Sequence, residues 1–351
     1  MAKKAPDLSV VVIGYKMDRE LPRTLRSLSP AMQRGIRADA YEIILIDNGS
    51  PEPMATAGYP DFGAQVSSHY IPDASVSPAA AANFGLKQAR GRLIGVMVDG
   101  ARLASPGLLA TALLAEKLDE RPIISSLGFH LGFERQMESV RRGYDQGRED
   151  ALLDASGWTE DGYRLFDIAC LAGSSEGGFF LPTGESNALF LPRRLWRELG
   201  GFNERFKSPG GGYVNLDLYR RACELPNTRL VMMLGEGTFH QVHGGAATNA
   251  EVADKHLEYH EEYVRLRARD FVFPRPETIY LGQVSLPAMR VIEQSARLAP
   301  RGRPPRDRLP AGFDARWYLE KHPDVAVAGL DAGEHFLRHG QFESRAWRPA
   351  T

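Results

Sequence analysis

Three runs of β-branched and aliphatic residues, at 9–13, 43–46 and 93–98, each stop on a polar turn that contains glycine. The turns are Gly14-Tyr15, Asp47-Asn48-Gly49-Ser50 and Asp99-Gly100-Ala101-Arg102. Strands this apolar are of the buried type and predict an open, mostly parallel sheet. The carboxyl edge of such a sheet is where loops collect and ligands sit, and it would carry Tyr15, Asp47 and Asp99 side by side.

The segments between the runs read as crossover helices. Leu21, Leu25 and Leu28 recur at helical spacing within 19–28. Ser77-Pro78 opens a helix that stops near Gly91, with Pro at the first helical position, and Ser105-Pro106-Gly107 starts another through Leu118. Residues 51–64 read as a loop and 65–71 as a third strand. Strand–helix alternation over the first 120 residues is the pattern of a doubly wound sheet.

Further on, residues 123–129 read as a strand within a charged and Gly-rich stretch, 121–183, taken as an insertion or lid. Strands are expected at 188–191 and 230–234, the latter followed by a loop over 235–245. Helices are expected at 192–199, 214–224, 250–271 and 285–298. The segment 299–310 is dense in Pro and Arg and reads as a solvated linker. After it, 311–351 reads as a small helical module, too short for an independent core, so it should pack on the main domain or on a partner.

A length of 351 residues, 43% of them apolar, allows one large domain, 1–298, with this appendage. A formal net charge of −1, from 43 basic and 44 acidic residues, argues against nucleic-acid binding by phosphate neutralisation. The two cysteines, Cys170 and Cys223, fit no metal or redox spacing and read as buried thiols. No segment approaches the roughly 18–20 apolar residues that span a bilayer, and no signal peptide opens the chain, so the expected place is cytoplasmic, at most peripheral at the inner membrane.

Several residues at the expected ligand edge bear chemistry. A carboxylate at Asp99 suits a divalent cation that neutralises a diphosphate, or simply starts a turn with Gly100. Asp47 suits either a turn or the N–H of a planar base, on which Tyr15 can stack. His240 and His243, three apart after a strand, suit a metal shared with Asp99, since imidazole and carboxylate together fit Mn²⁺-like ions. The alternative for both histidines is structural. Gly210-Gly211-Gly212 reads as an acceptor-side loop, because no strand precedes it.

The order Ser9-Val10-Val11-Val12-Ile13-Gly14-Tyr15, Ile46-Asp47-Asn48-Gly49-Ser50, Asn83-Phe84-Gly85 and Val98-Asp99-Gly100-Ala101 resembles a family 2 glycosyltransferase of the GT-A fold. So does the continuation Gly200-Gly201-Phe202-Asn203-Glu204-Arg205-Phe206 and Asn215-Leu216-Asp217-Leu218, and the resemblance spans about residues 8–245. It implies a nucleotide-sugar donor, most often UDP-linked, a Mn²⁺ or Mg²⁺ ion, and transfer to a hydroxyl of a glycan or glycolipid acceptor. Tyr15, Asp47, Asn83, Asp99 and Gly100 would bind the donor, and Asp99, His240 and His243 the metal. The chain departs from the family pattern twice. Ala101 replaces the second aspartate of the DxD motif, and Val214-Asn215 replaces an acidic pair that supplies the general base in inverting relatives. Either Glu185 or Asp217, near Asn215, orients or deprotonates the acceptor, or the reaction is of the retaining class, which does not require that base. The other reading is a catalytically silent GT-A domain that binds a nucleotide sugar or glycan as an assembly module. The tail resembles a short repeat appended to bacterial polysaccharide glycosyltransferases.

Overall fold

A computed structural model describes residues 5–54, 63, 65–243, 252–299, 308–341 and 345–347. The expected loop 51–64, the glycines at 244 and 245, the linker 299–310 and the tail motif at 342–344 therefore lie largely or wholly outside the described residues.

In chain order the first half runs β1 (Leu8–Gly14), α1 (Leu21–Ser27), β2 (Tyr41–Asp47), β3 (Gln65–Tyr70), α2 (Ala79–Gln88), β4 (Leu93–Met97), β5 (Arg102–Ala104), α3 (Leu108–Ala115), β6 (Pro122–Leu131), α4 (Gln136–Arg141) and α5 (Gln146–Ser156). The second half runs β7 (Ala169–Leu171), β8 (Leu189–Pro192), α6 (Arg193–Leu199), α7 (Val214–Glu224), β9 (Arg229–His240), α8 (Val252–Arg267), β10 (Thr278–Leu281), α9 (Leu286–Leu298), α10 (Ala315–Lys321), α11 (Pro323–Val327) and α12 (Ala332–His335).

The strands form one sheet in the order β10-β9-β6-β8-β4-β1-β2-β3, with β5 added to β9 and β7 to β6. The pairs β1/β2, β1/β4, β2/β3, β6/β9 and β9/β10 are parallel, whereas β8 is antiparallel to both β4 and β6. The chain thus adopts a mixed α/β fold around a mostly parallel sheet. Successive side chains of one strand feed opposite faces. Val11, Ile13, Ile44 and Ile46 enter one core, and Val10, Val12, Ile43 and Leu45 enter the other. That double burial is why the strands read as unbroken apolar runs.

Several expectations needed correction. Pro78 is the N-cap of α2 rather than its first helical residue. The stretch 121–183 is no loose insertion, since it supplies β6, β7, α4 and α5. The strand expected to end at Leu234 continues to His240, through a bulge where the register against β6 shifts between Ser125 and Leu127. Gly235 takes φ +75° there. A glycine that reads as a loop signal here marks a bulge inside a strand. The cysteines are unpaired but only half-buried.

The C-terminal segment is helical and has its own small core, Tyr318, Val325, Ala332 and Phe336, flanked by Phe313 and Trp347. Asp314 and Asp331 cap its helices by accepting from Trp317 N–H and Glu334 N–H. No helix among the described residues is long and apolar enough to cross a membrane.

Candidate active site

The three turns that follow β1, β2 and β4 meet at the carboxyl edge, held together by their own backbones. Asn48 N–H donates to the Gly14 carbonyl at 2.8 Å and Gly100 N–H to the Ile13 carbonyl at 2.6 Å. Lys16 N–H donates to Ser50 Oγ at 2.9 Å. Tyr15 projects from this junction with 45% of its surface exposed and Lys16 Nζ over its ring at 5.2 Å, leaving the ring's open surface for a planar ligand.

Asp47 is buried and already engaged. Its two oxygens accept from the N–H groups of Ser50, at 2.9 Å, and Met54, at 2.8 Å. Turn formation thus accounts for its conservation-free sequence signal, and only its remaining lone pairs are left for a base. Gly100 is required by packing: a Cβ there would stand 2.9 Å from the Ile13 carbonyl oxygen. Asn83 does not point a free amide at the edge. Its Oδ1 accepts from Phe202 N–H, and its Nδ2 donates to the Phe202 carbonyl and to Glu204, so it ties α2 to the Gly200-Gly201-Phe202 turn.

Asp99, His240 and His243 come together. Asp99 Oδ2 lies 2.6 Å from His240 Nε2 and 3.5 Å from His243 Nε2, and the two imidazole nitrogens are 3.1 Å apart. One ligand atom from each falls within 4.8 Å of the others, a possible metal site. His240 ends β9, paired to both β5 and β6. The next residues are pinned: Gln241 N–H donates to the Ala101 carbonyl, and Val242 N–H donates to Glu149 of α5 at 2.7 Å. A rigid strand end and a tethered turn therefore set the spacing of the two histidines.

Gln136, at the start of α4, was not singled out from the sequence. Its Oε1 lies 2.5 Å from His240 Nδ1, and its backbone N–H donates to His130 Nδ1 at 3.0 Å. An amide oxygen only accepts, so Nδ1 is the nitrogen that donates to Gln136, and Nε2 is the one turned toward Asp99. Burial lowers the affinity of His240 for a proton to about 4, against the pull of Asp99. Burial acts to raise Asp99, but the imidazoles of His240 and His243 outweigh it and keep the carboxyl well below its usual range. For His243, burial is outweighed by Asp99 and its affinity for a proton rises. The 2.6 Å contact is of hydrogen-bond length, and one carboxylate with two imidazoles is a donor set that fits a divalent metal ion.

Arg102, also missed, pairs with His240 in the β5/β9 ladder. Its Nε is 4.0 Å from Asp99 Oδ2, and both Nε and Nη1 are buried without a hydrogen-bond acceptor among the described residues. Burial lowers its affinity for a proton, and the charges of Asp99 and Glu185 act to restore it.

On the other side of Arg102, Glu185 Oε2 accepts from Asn215 Nδ2 at 2.6 Å. Asn215 also donates to the Ser186 carbonyl and cannot itself take a proton. Asp217 is a correction. It is 1% exposed and bridged by Arg221 at 2.9 Å and by Arg267 at 2.5 and 2.7 Å, so it braces α7 against α8 and is closed to an acceptor.

The carboxyl edge of this α/β sheet thus gathers a carboxylate, two imidazoles and an exposed aromatic ring. The family model described as glycosyltransferase like family 2 matches residues 31–232, more than half of the chain, and the chain belongs to that family. It has the GT-A fold. No curated protein matches it significantly. Among solved structures, S. aureus TarS 1–349 in complex with UDP-GlcNAc is similar at 11% identity and TM-score 0.47, over 97% of this chain and 93% of that one. The mannosyltransferase PcManGT from Pyrobaculum calidifontis, in complex with GDP-Man and Mn²⁺, is similar at 14% identity and TM-score 0.45, over 97% and 85%. The longer S. aureus TarS structure is similar at 14% identity and TM-score 0.45, over 67% of this chain, which spans 36% of that one.

Proposed function

We propose that the protein transfers a sugar from a nucleoside diphosphate sugar, UDP-linked by preference, to a hydroxyl of a glycan or glycolipid acceptor. The observation that carries this is the convergence of Asp99, His240 and His243 beside the β1 and β2 turns, with one ligand atom of each within 4.8 Å of the others. Two imidazoles with one carboxylate favour Mn²⁺ over the harder Mg²⁺. Such an ion, when bound, neutralises the charge that develops on the departing diphosphate.

The chain's own residues supply the rest. Tyr15 offers a face to the base, and Asp47 holds the turn that shapes the base pocket. Of Glu185 and Asp217, Glu185 is the one with no hydrogen bond or ion pair to an arginine among the described residues, and Asn215 holds it. It orients the acceptor hydroxyl and takes its proton. The residue at 217 has no part in this.

The test is donor hydrolysis and transfer across a panel of nucleotide sugars with Mn²⁺. Asp99→Asn should lose metal-dependent turnover at least about 100-fold while far-UV circular dichroism stays unchanged. Full activity in that variant would refute the metal role. The second reading, a silent binding module, draws on the closure of Asp217 and the absence of an acid at 214 and 215. It requires nucleotide binding without turnover of any donor, and with no effect of Glu185→Gln.

A further inference from the structure

Arg102 is 8% exposed, and two of its three guanidinium nitrogens are buried without an acceptor among the described residues. Its nearest charge is Asp99, at 4.0 Å and not hydrogen-bonded. An arginine buried this way is costly unless an anion completes it. Nearby, Asn187 is 7% exposed. The two side chains approach one point. A Cβ on Gly128 would stand 2.8 Å from Asn187 Nδ2 and 3.7 Å from Arg102 Nη1, with Ser175 Oγ also at 3.7 Å. Glycine at 128 is thus what lets these donors face each other beside the Asp99 cluster.

Charge points to the ligand. A dication on ionised Asp99 and two neutral imidazoles leaves one positive charge, and Arg102 contributes another. Glu185, whose charge also acts on Arg102, offsets part of this, and the net positive charge that remains complements the negative diphosphate of a nucleotide sugar. An acid at position 101 would have cancelled more of that charge, and that position is Ala101. We propose that Arg102, assisted by Asn187, binds the donor diphosphate directly and takes over part of the neutralisation otherwise left to the metal. This rests on the donor reading above and adds to it a donor-binding residue and partial metal independence. The planar guanidinium fork suits phosphate oxygens better than any other side chain.

The experiment is calorimetric titration of UDP and of GDP into the full chain, with EDTA and with Mn²⁺, for wild type, Arg102→Gln and Arg102→Lys. Wild type should retain nucleotide binding in EDTA, weaker than with Mn²⁺. Arg102→Gln should weaken the metal-free binding at least tenfold, and Arg102→Lys by less. Mn²⁺ binding without nucleotide should be unchanged or tighter in Arg102→Gln, because a neighbouring positive charge is gone. Equal metal-free binding by wild type and Arg102→Gln overturns the inference. So does a loss of nucleotide binding that merely follows a loss of Mn²⁺ binding, since Arg102 would then only position Asp99. Wild type that binds nucleotide with Mn²⁺ but not in EDTA also overturns it, while leaving the donor reading intact. Wild type that binds neither nucleotide under either condition overturns the donor reading itself, and this inference with it. Should Arg102→Gln fail to fold, Asn187→Ala replaces it, with a smaller loss of metal-free binding expected and no loss counting against the proposal.

Discussion

Gln136 is 104 residues from His240 along the chain, yet its amide oxygen decides which nitrogen of that ring is free. Removing it should leave His240 able to turn or change tautomer, and affinity for Mn²⁺ should fall about 10–100-fold in Gln136→Ala. Electron paramagnetic resonance of free Mn²⁺ during titration measures this directly, and an unchanged affinity would remove Gln136 from the account. The residue also shows where sequence reading stops. Asp99, His240 and His243 were recognisable because carboxylate and imidazole announce metal chemistry by type. A glutamine has no such signature, and only the packing of α4 on the end of β9 gives it a role. Asp217 is the reverse case, a carboxylate whose type suggested chemistry until Arg221 and Arg267, the latter 50 residues away, were seen to close it off.

At the scale of elements, β1, β2, β4 and α7 were legible because each carries its own signal, an apolar run or a helical period. The second half of β9 was not. Its Leu-Gly-Glu-Gly-Thr segment places two glycines and a charge where a strand should be apolar. The fold accommodates the charge by burying Glu236 among Ser105, Gly107 N–H and Tyr163. That burial pushes its carboxyl up to about 7, and burial likewise pushes Glu149, under the His243 turn, up to about 7. An acid raised in the folded state binds its proton there at pH values where the unfolded chain has already released it. Stability from these two groups is therefore greatest below about pH 4.5 and is lost as pH rises to about 7, by on the order of 3 kcal/mol for each. Urea unfolding between pH 5 and pH 8 should show that decline, and Glu236→Gln should flatten roughly half of it. A slope unaffected by the substitution would mean that the bulge does not hold a protonated acid.

For the whole molecule, the question is what the residues beyond α9 contribute. The main sheet is enclosed by two large cores on its opposite faces, whereas the C-terminal segment has a buried cluster of four side chains of its own. Its elements pack chiefly on one another, through Tyr318 and Phe336, with Tyr318 Oη 3.0 Å from His335 Nδ1 and Arg345 paired to Asp324 at 2.7 Å. The sequence reading, from length alone, expected so short a piece to lean on another surface for its stability. An internal cluster, capped helices and an ion pair argue instead that its stability is separable from that of the sheet, if modest. Stability of the sheet domain should then be nearly indifferent to its removal. A chain ended at Ala299 should melt within about 3 °C of the full chain, because roughly 1 kcal/mol moves the midpoint of a domain this size by only a few degrees. It should also bind Mn²⁺ and nucleoside diphosphate as before, since no residue of the candidate site lies beyond His243. Differential scanning calorimetry of the two chains decides the matter. A fall of about 10 °C or more would place the segment within the cooperative unit of the sheet, and its aromatic cluster would then be part of the transferase domain rather than an appendage to it.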